Sequence, residues 1–198
     1  MHRRTAVAGA LLAASALAAC GGNGLTPGTA AVLDGRRIPV AAVEARVAEL
    51  RDTAGGASAD ARQESDGLVR RALTDLVLDT VIARAVADRG IAVGGAEVAA
   101  ARTVEEDRFG GAGPLARVLA SRGVPAAAID DYLRRQLGIR RLAAAAGQDG
   151  GTPAGDAGVR LALADAATAL HLHVNPRYGT WDADQVTLLP DTPLWLAP

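Results

Sequence analysis

Two histidines near the C-terminus come nearest, by type and spacing, to a metal site. His171 and His173 are two positions apart, so a strand would place both imidazoles on the same face. Imidazoles bind zinc, but a zinc site needs further ligands and no cysteine lies near. A third ligand would have to come from Asp165, Asp182 or Asp184. We interpret the pair as partly solvated histidines and predict no metal and no cofactor.

A second candidate for chemistry is the acidic run Glu105-Glu106-Asp107. It admits a catalytic or calcium-binding interpretation, but a run of charge at the end of a helix is typically a solvated face. The sequence contains no Walker loop, no glycine-rich dinucleotide turn after a strand and no nucleophile elbow. We therefore predict that the protein is not an enzyme and has no catalytic residues.

The third candidate is Cys20, the only cysteine in the chain. It follows the basic residues Arg3 and Arg4, an apolar run from about Thr5 to Ala16, and small residues that suit a cleavage site. This order is typical of a secretory signal, and the apolar run is shorter than the roughly 20 residues that span a bilayer. Because there is no second cysteine, an intramolecular disulfide does not compete for the thiol.

The segment Leu17-Ala18-Ala19-Cys20 resembles the lipobox of bacterial lipoproteins. The resemblance implies cleavage between Ala19 and Cys20 and a diacylglycerol on the Cys20 thiol, with residues 1–19 as the signal peptide. The protein would then be lipid-anchored on the extracytoplasmic face of the cell membrane. Arg3-Arg4 leaves the export route open between the general secretory and the twin-arginine pathways.

Removal of residues 1–19 from a chain of 198 leaves 179 residues, enough for one ordinary domain or two small ones. Two of the 21 basic residues lie in the signal, which leaves 19 against 22 acidic residues. This balance leaves no excess of positive charge to bind the phosphates of a nucleic acid, so we predict no nucleic-acid partner.

The first folded element predicted is a hairpin. Residues 20–29 are turn-prone and read as a flexible tether, and two short apolar runs then flank Asp34-Gly35. This dipeptide accepts the positive φ angles of a tight two-residue turn. An isolated hairpin is marginal in water, so another strand or a helix must cover it.

From Val40 the apolar spacing predicts a series of helices, so the fold class is mainly α with a small antiparallel β element. Glycine and proline mark the ends of most of these helices. The Glu97 side chain can reach back to the N–H of Gly94, as in a capping box. Gly138 lies inside the last of them. The predicted helices run from Val40 to before Thr53, from Gln63 to Arg89, from Ala96 to Arg108, from Pro114 to Gly123, and onward from Val124-Pro125.

Residues 147–158, rich in glycine and aspartate, predict a linker. Beyond it, residues 159–169 predict a helix and Leu170–Val174 alternates like a strand. Because this strand and the Asp34-Gly35 hairpin are both too short to stand alone, we expect them to pair. The segment 159–198 thus returns to pack on the N-terminal hairpin.

A turn motif follows the returning strand, and three of the five aromatic residues lie after residue 177. Tyr178 and Trp181 admit two roles: anchors of a peptide-contact surface, or a plug that seals the small sheet to the helices. The plug is the favoured role, because a small domain poor in aromatics needs its large side chains for burial. The motif comprises Asn175, Pro176, Arg177, Tyr178, Gly179 and Trp181.

Three pieces of the chain resemble the N-terminal chaperone domain of SurA and PrsA proteins. They are Ala-Val-Leu-Asp-Gly followed by Ile-Pro and a helix, the helix end Arg89-Gly90-Ile91-Ala92-Val93, and the joint Leu119-Ala-Ser-Arg-Gly123-Val124. The resemblance covers residues 30–146, and the segment 175–182 resembles the ending of actinobacterial SurA-like lipoproteins. In that family a parvulin prolyl isomerase domain precedes the returning arm, whereas this chain has only residues 147–158 there.

The resemblance implies an extracytoplasmic chaperone-like protein that binds unfolded or exported polypeptides, without prolyl isomerase activity. One alternative is an assembly or scaffold lipoprotein that binds a single dedicated partner of the cell envelope. A small-ligand-binding lipoprotein fits less well, because such folds normally alternate strands and helices.

Overall fold

The computed structural model describes residues 25–53 and 63–190. The predicted signal peptide, the cleavage position after Ala19 and the lipid-attachment residue Cys20 lie outside the described residues. So does half of the predicted tether, residues 20–24. In its described half, Thr29 belongs to a strand and is buried, and Gly28 accepts a hydrogen bond from the N–H of Val40 at 2.8 Å. The prediction that the tether extends to Thr29 is therefore wrong.

The described chain is mostly helical, with a small antiparallel β component, which confirms the predicted fold class. The longest helix, α2, ends just before Gly90, whose φ of 62° gives the left-handed conformation expected after a helix. The helices are α1 Val40–Thr53, α2 Gln63–Asp88, α3 Gly95–Phe109, α4 Ala112–Ala120, α5 Ile129–Ala145 and α6 Pro153–Ala169. A 3₁₀ turn over Ala126–Ala128 leads into α5.

The predicted hairpin is formed by β1 Thr29–Leu33 and β2 Arg36–Pro39. Asp34 and Gly35 have φ angles of 47° and 75°, as a two-residue turn with two positive φ angles requires. The short strand β3, His173–Val174, pairs antiparallel with β1, with Ala31 opposite Val174. The predicted return of the chain to the hairpin is therefore confirmed.

The predicted strand over Leu170–Val174 is too long by three residues. Leu170 is the C-cap of α6, and its N–H donates to the carbonyl of Ala166 at 2.9 Å. His171 has a φ of 46°, a left-handed conformation that reverses the chain after the helix. Because the alternating pattern begins inside this helix end, pairing with β1 starts only at His173.

The predicted linker over 147–158 is also wrong in its second half. Thr152 caps α6 by accepting a hydrogen bond from the N–H of Gly155 at 3.1 Å, and Pro153 opens the helix. A Cβ on Gly155 would collide with the carbonyl oxygen of Asp149, and one on Gly158 would lie 3.1 Å from the Cβ of Ala146. These glycines therefore allow close packing of the α5–α6 connection on α6.

A second hairpin follows the motif at 175–179 and was not predicted. Strands β4 Thr180–Asp182 and β5 Thr187–Leu189 pair antiparallel, and the Asp182 carboxylate accepts from the N–H of Gln185 at 2.8 Å in their turn. Three-residue strands are too short for the period of two to stand out in the sequence.

The buried side chains form two separate clusters. The larger one, which we call the body core, joins β1, α1, α2, α6, the second half of α5 and the β4–β5 hairpin. The smaller one, the lobe core, lies among α3, α4 and the first half of α5. It consists of Val98, Leu115, Leu119, Val124, Ile129 and Leu133. We call residues 95–137 the lobe and the rest of the described chain the body.

A candidate binding groove between the two cores

A groove of about 570 Å³ lies between α2 of the body and the lobe. Its volume falls within the roughly 300–1,000 Å³ typical of ligand sites. α2 lines it from Leu76 to Ala87, and α5 lines it from Asp131 to Gly138. Ile91 and Val93 of the α2–α3 connection lie along it as well.

The inner surface of the groove is aliphatic. The apolar side chains that line it come from α2, from the two connections that flank the lobe and from the turn before α5. Ala83 and Ala87 of α2 are exposed in it. Ile82 and Val124 are themselves buried, in the body core and the lobe core. The apolar area still available for burial therefore comes from the exposed and half-buried members of the set. The set is Leu76, Ile82, Ala83, Val86, Ala87, Ile91, Val93, Val124, Pro125 and Ala128.

The rim of the groove carries three arginines and three acidic residues. Arg46 of α1 donates to Glu49 at 3.0 Å and to Asp75 of α2 at 3.3 Å. Burial acts to lower the pKa of Arg46, but hydrogen bonds and the charges of these two carboxylates raise it overall. This side chain is therefore held as a cation beside the groove.

The other rim pairs lie on α2 and α5. Arg135 of α5 forms an ion pair with Asp79 of α2, and Arg134 pairs with Asp131 within α5. Burial raises the pKa of Asp79 above its ordinary value, and the Arg135 guanidinium only partly offsets this effect. Folding therefore disfavours the ionised form of Asp79, even with its arginine partner in place.

Two arginine side chains of the body also bind the lobe. Arg71 of α2 donates to the carbonyl of Arg122 at 3.0 Å. Arg141 of α5 donates to the carboxylate of Glu97, and also to the carbonyl of Ala92 in the α2–α3 connection. Arginine side chains thus tie the lobe to the body.

Glu97 makes the contact that its spacing from Gly94 predicts. Its carboxylate accepts from the N–H of Gly94 at 3.0 Å, although glycine has no side chain to complete the capping box. This backbone hydrogen bond, together with Arg141, lowers the pKa of Glu97 below its ordinary value. One side chain therefore caps α3 and ties the lobe to the body.

Gly138 lies where α5 passes from one core to the other. Leu137 packs against the lobe core and Ile139 against the body core. A Cβ at Gly138 would lie 3.0 Å from the Cγ2 of Val86, so glycine permits the close approach of α5 to α2. The helix accepts the unfavourable helix propensity of glycine, about 1 kcal/mol relative to alanine, at this crossing.

The C-terminal motif lies in the body, outside the residues that line the groove. Asn175 donates from its side chain to the carbonyl of Thr29 at 3.2 Å, and its Oδ1 accepts from the N–H of Arg177 at the same distance. Pro176–Tyr178 forms a 3₁₀ turn, and Tyr178 is buried in the body core.

The other two members of the motif lie in the β4–β5 hairpin region. Trp181 packs against the body core, in agreement with the role of a plug. Gly179 has a φ of 120°, and a Cβ there would collide with the carbonyl oxygen of Leu189. The motif thus attaches the C-terminal hairpin to β1 and α2.

The remaining candidate residues do not converge on a reaction centre. His171 and His173 line a small cavity of about 290 Å³ together with Trp181, and none of the three suggested aspartates lines it. Within residues 25–53 and 63–190, no three metal-ligating side chains come together. In the acidic run, Glu106 pairs with Arg102 at 2.8 Å and Glu105 lies 3.9 Å from Arg108.

Sequence reasoning missed the groove and its charged rim. The signal that was available is the position of Asp79, which lies three residues from both Leu76 and Ile82 on the apolar stripe of α2. A charge on such a stripe marks a place where the helix meets either a partner charge or an opening.

Within the described chain, no helix combines the length and the apolar character that crossing a bilayer requires. Comparison of the sequence with protein-family models, with curated proteins and with solved structures finds no match.

Proposed function

We propose that the protein is a lipid-anchored extracytoplasmic lipoprotein whose groove binds apolar segments of unfolded or exported polypeptides, without enzymatic activity. The observation that supports this proposal is the aliphatic surface left open between the body core and the lobe core. Apolar surface of this kind gains free energy when a partner covers it. The resemblance to SurA and PrsA chaperone domains supports the same proposal.

The small sheet is poorly suited to capture a client by strand addition. Its edges are β2 and the two-residue strand β3, and β2 carries Arg36, Arg37 and Pro39. Charged residues and proline on an edge strand oppose pairing with a further chain. Client binding in this proposal therefore relies on burial of side chains in the groove.

The proposal includes no prolyl isomerase activity. In the SurA and PrsA arrangement the isomerase domain stands before the returning arm. Here α5 ends at Ala145 and α6 begins at Pro153, so only residues 146–152 occupy that position. This connection is far shorter than a domain.

The test is suppression of client aggregation by the purified full-length protein in detergent. Light scattering of a denatured client should fall as the protein is added, and Ala83→Phe should weaken the effect because the ring fills the groove. Ala100→Phe on α3 is the matched control, since Ala100 is also an exposed helical alanine but does not line the groove.

Three outcomes contradict the proposal. Unchanged scattering at a several-fold excess of protein argues against general client binding, and capture of one tight partner then favours a dedicated-partner lipoprotein. Equal effects of Ala83→Phe and Ala100→Phe on scattering would mean that the groove is not where the client binds. Faster proline-limited refolding at catalytic ratios refutes the absence of isomerase activity.

The lipid anchor is tested separately through Cys20. Cys20→Ala should move the protein from the membrane fraction to the medium, or leave an unprocessed precursor, because the thiol would carry the lipid. Cys20→Ser, which also lacks a thiol, should behave in the same way. Wild-type protein that is mature, soluble and unmodified at Cys20 contradicts the anchor.

A further inference from the structure

The charged side chains that line the groove are paired with one another. Three arginines and three carboxylates line it, and each arginine has a carboxylate partner within the set. The pairs are Arg46 with Glu49, Arg134 with Asp131, and Arg135 with Asp79. The rim therefore presents no net charge to an occupant.

A charged occupant gains little from such a rim. Its side chain either rests on the aliphatic surface without a counter-charge, which is unfavourable, or displaces one member of an existing pair. In the pairs of Arg46 and Arg135, the guanidinium left without its partner is mostly buried, at 16% and 28% exposure. The Arg134–Asp131 pair is exposed to water and contributes little. A side chain of either sign is at a disadvantage relative to an uncharged apolar one.

We infer that the groove selects uncharged apolar segments and discriminates against both positive and negative side chains. This inference rests on the proposed function and adds the chemical class of the bound segment. Selectivity arises chiefly from the Arg46–Glu49 and Arg135–Asp79 pairs, and the apolar surface supplies the affinity. Because no free rim charge takes part, binding depends little on ionic strength.

The Asp79–Arg135 pair allows the selectivity to be changed in two opposite directions. Asp79→Asn leaves the Arg135 guanidinium without its carboxylate, so a glutamate in the bound segment acquires a partner. Arg135→Gln leaves the Asp79 carboxylate without its guanidinium, so a lysine acquires one. The two variants are near-isosteric or shortened replacements at partly exposed positions, and circular dichroism checks that each remains folded.

The experiment measures the Kd of three fluorescent peptides for the full-length protein in detergent by anisotropy. The peptides share a leucine, valine and alanine core with serine and glycine flanks, and two of them carry a central lysine or glutamate. For the wild-type protein, either charge should weaken binding about tenfold. The Kd of the neutral peptide should change less than about twofold between low and high salt.

Each variant should restore the binding of one of the two charged peptides. Asp79→Asn should recover most of the loss for the glutamate peptide and none for the lysine peptide, and Arg135→Gln should do the reverse. Tighter binding of either charged peptide by the wild type, or no exchange of preference in the variants, overturns the inference alone. Failure of all three peptides to bind saturably overturns the proposed function and the inference with it.

Discussion

The body and the lobe bury apolar surface in different ways. The body core joins both ends of the described chain, because β1 lies between β2 and β3 and packs on helices α1 and α2. The lobe core draws its six buried side chains from residues 98–133, all close in sequence. A core of that size stabilises a fold only marginally, so the lobe depends on its attachment to the body.

This difference between the two cores indicates that the lobe can move away from the body without global unfolding. The lobe meets the body through two connections, at residues 89–94 and at Gly138, and through side-chain links from Arg71, Arg135 and Arg141. Hydrogen bonds of this kind each contribute only about 0.5–1.5 kcal/mol. We expect the lobe to open at lower free energy than the body, as the elements that line binding sites commonly do.

The largest expected effect comes from the same truncation in the two cores. Leu73 of α2 and Leu115 of α4 are 0% and 1% exposed. Leu73→Ala should lower the free energy of global unfolding by about 2–5 kcal/mol, because it leaves a cavity in the body core. Leu115→Ala should mainly reduce the protection of lobe amides, as measured by hydrogen exchange. Equal loss of protection in both regions for both variants would contradict a separate lobe.

A smaller effect is expected where the chain closes on itself. Asn175→Ala removes a donor to the Thr29 carbonyl and an acceptor for the Arg177 N–H, and should lower the free energy of unfolding by about 1–2 kcal/mol. Asn175→Asp keeps the acceptor for the Arg177 N–H but places a carboxylate oxygen against the Thr29 carbonyl, which also only accepts. At neutral pH it should therefore destabilise at least as much as Asn175→Ala in urea denaturation. An unchanged midpoint for Asn175→Ala would mean that this closure does not stabilise the body.

The crossing at Gly138 should show coupling with Val86. Gly138→Ala gains helix propensity but crowds the Val86 methyl, so we expect a net loss of less than about 1 kcal/mol. In a Val86→Ala background the crowding is gone, and the same change should stabilise by about 0.5–1 kcal/mol. A double-mutant cycle by urea denaturation measures the coupling, and additive effects would exclude the close contact.

The smallest effect concerns acid. Because the pKa of Glu97 is lowered in the folded protein, this carboxylate stabilises the fold above its unfolded pKa of about 4.3. That contribution is lost as the pH falls below about 4.3 and through the lower pKa of the folded state. The Tm of Glu97→Gln should therefore fall less on acidification than the wild-type Tm.

The pKa shift of Asp79 has the opposite sign to that of Glu97. Its pKa is raised by folding, so protonation favours the folded state and its ionisation opposes folding as the pH rises past its unfolded pKa of about 3.9. Asp79→Asn removes a contribution that grows in acid, so its Tm should fall more on acidification than the wild-type Tm. Identical profiles for Glu97→Gln and Asp79→Asn would contradict the opposite shifts.

Features of the fold with a local cause could be predicted from the sequence. Asp34-Gly35 specifies its own turn, Gly90 ends α2, and the contact of Glu97 with Gly94 follows from a spacing of three residues. The start of α6 could not be predicted in this way. Glycine is required at 155 because the Asp149 carbonyl approaches it closely in the folded chain, and the sequence does not reveal that contact. The groove depends on how α5 crosses α2, and that crossing brings together Asp79 and Arg135, which lie 56 residues apart.

The hydrogen bond from Asn175 to Thr29 sets an order of events during synthesis. It joins residues 146 positions apart, so the sheet of the body lacks its third strand until nearly the whole described chain has been made. The contacts within the lobe core join residues 98–133, which are close in sequence, and contacts of that kind form quickly. In a chain made from its N-terminus, the first strand is therefore among the last elements to acquire its complete surroundings.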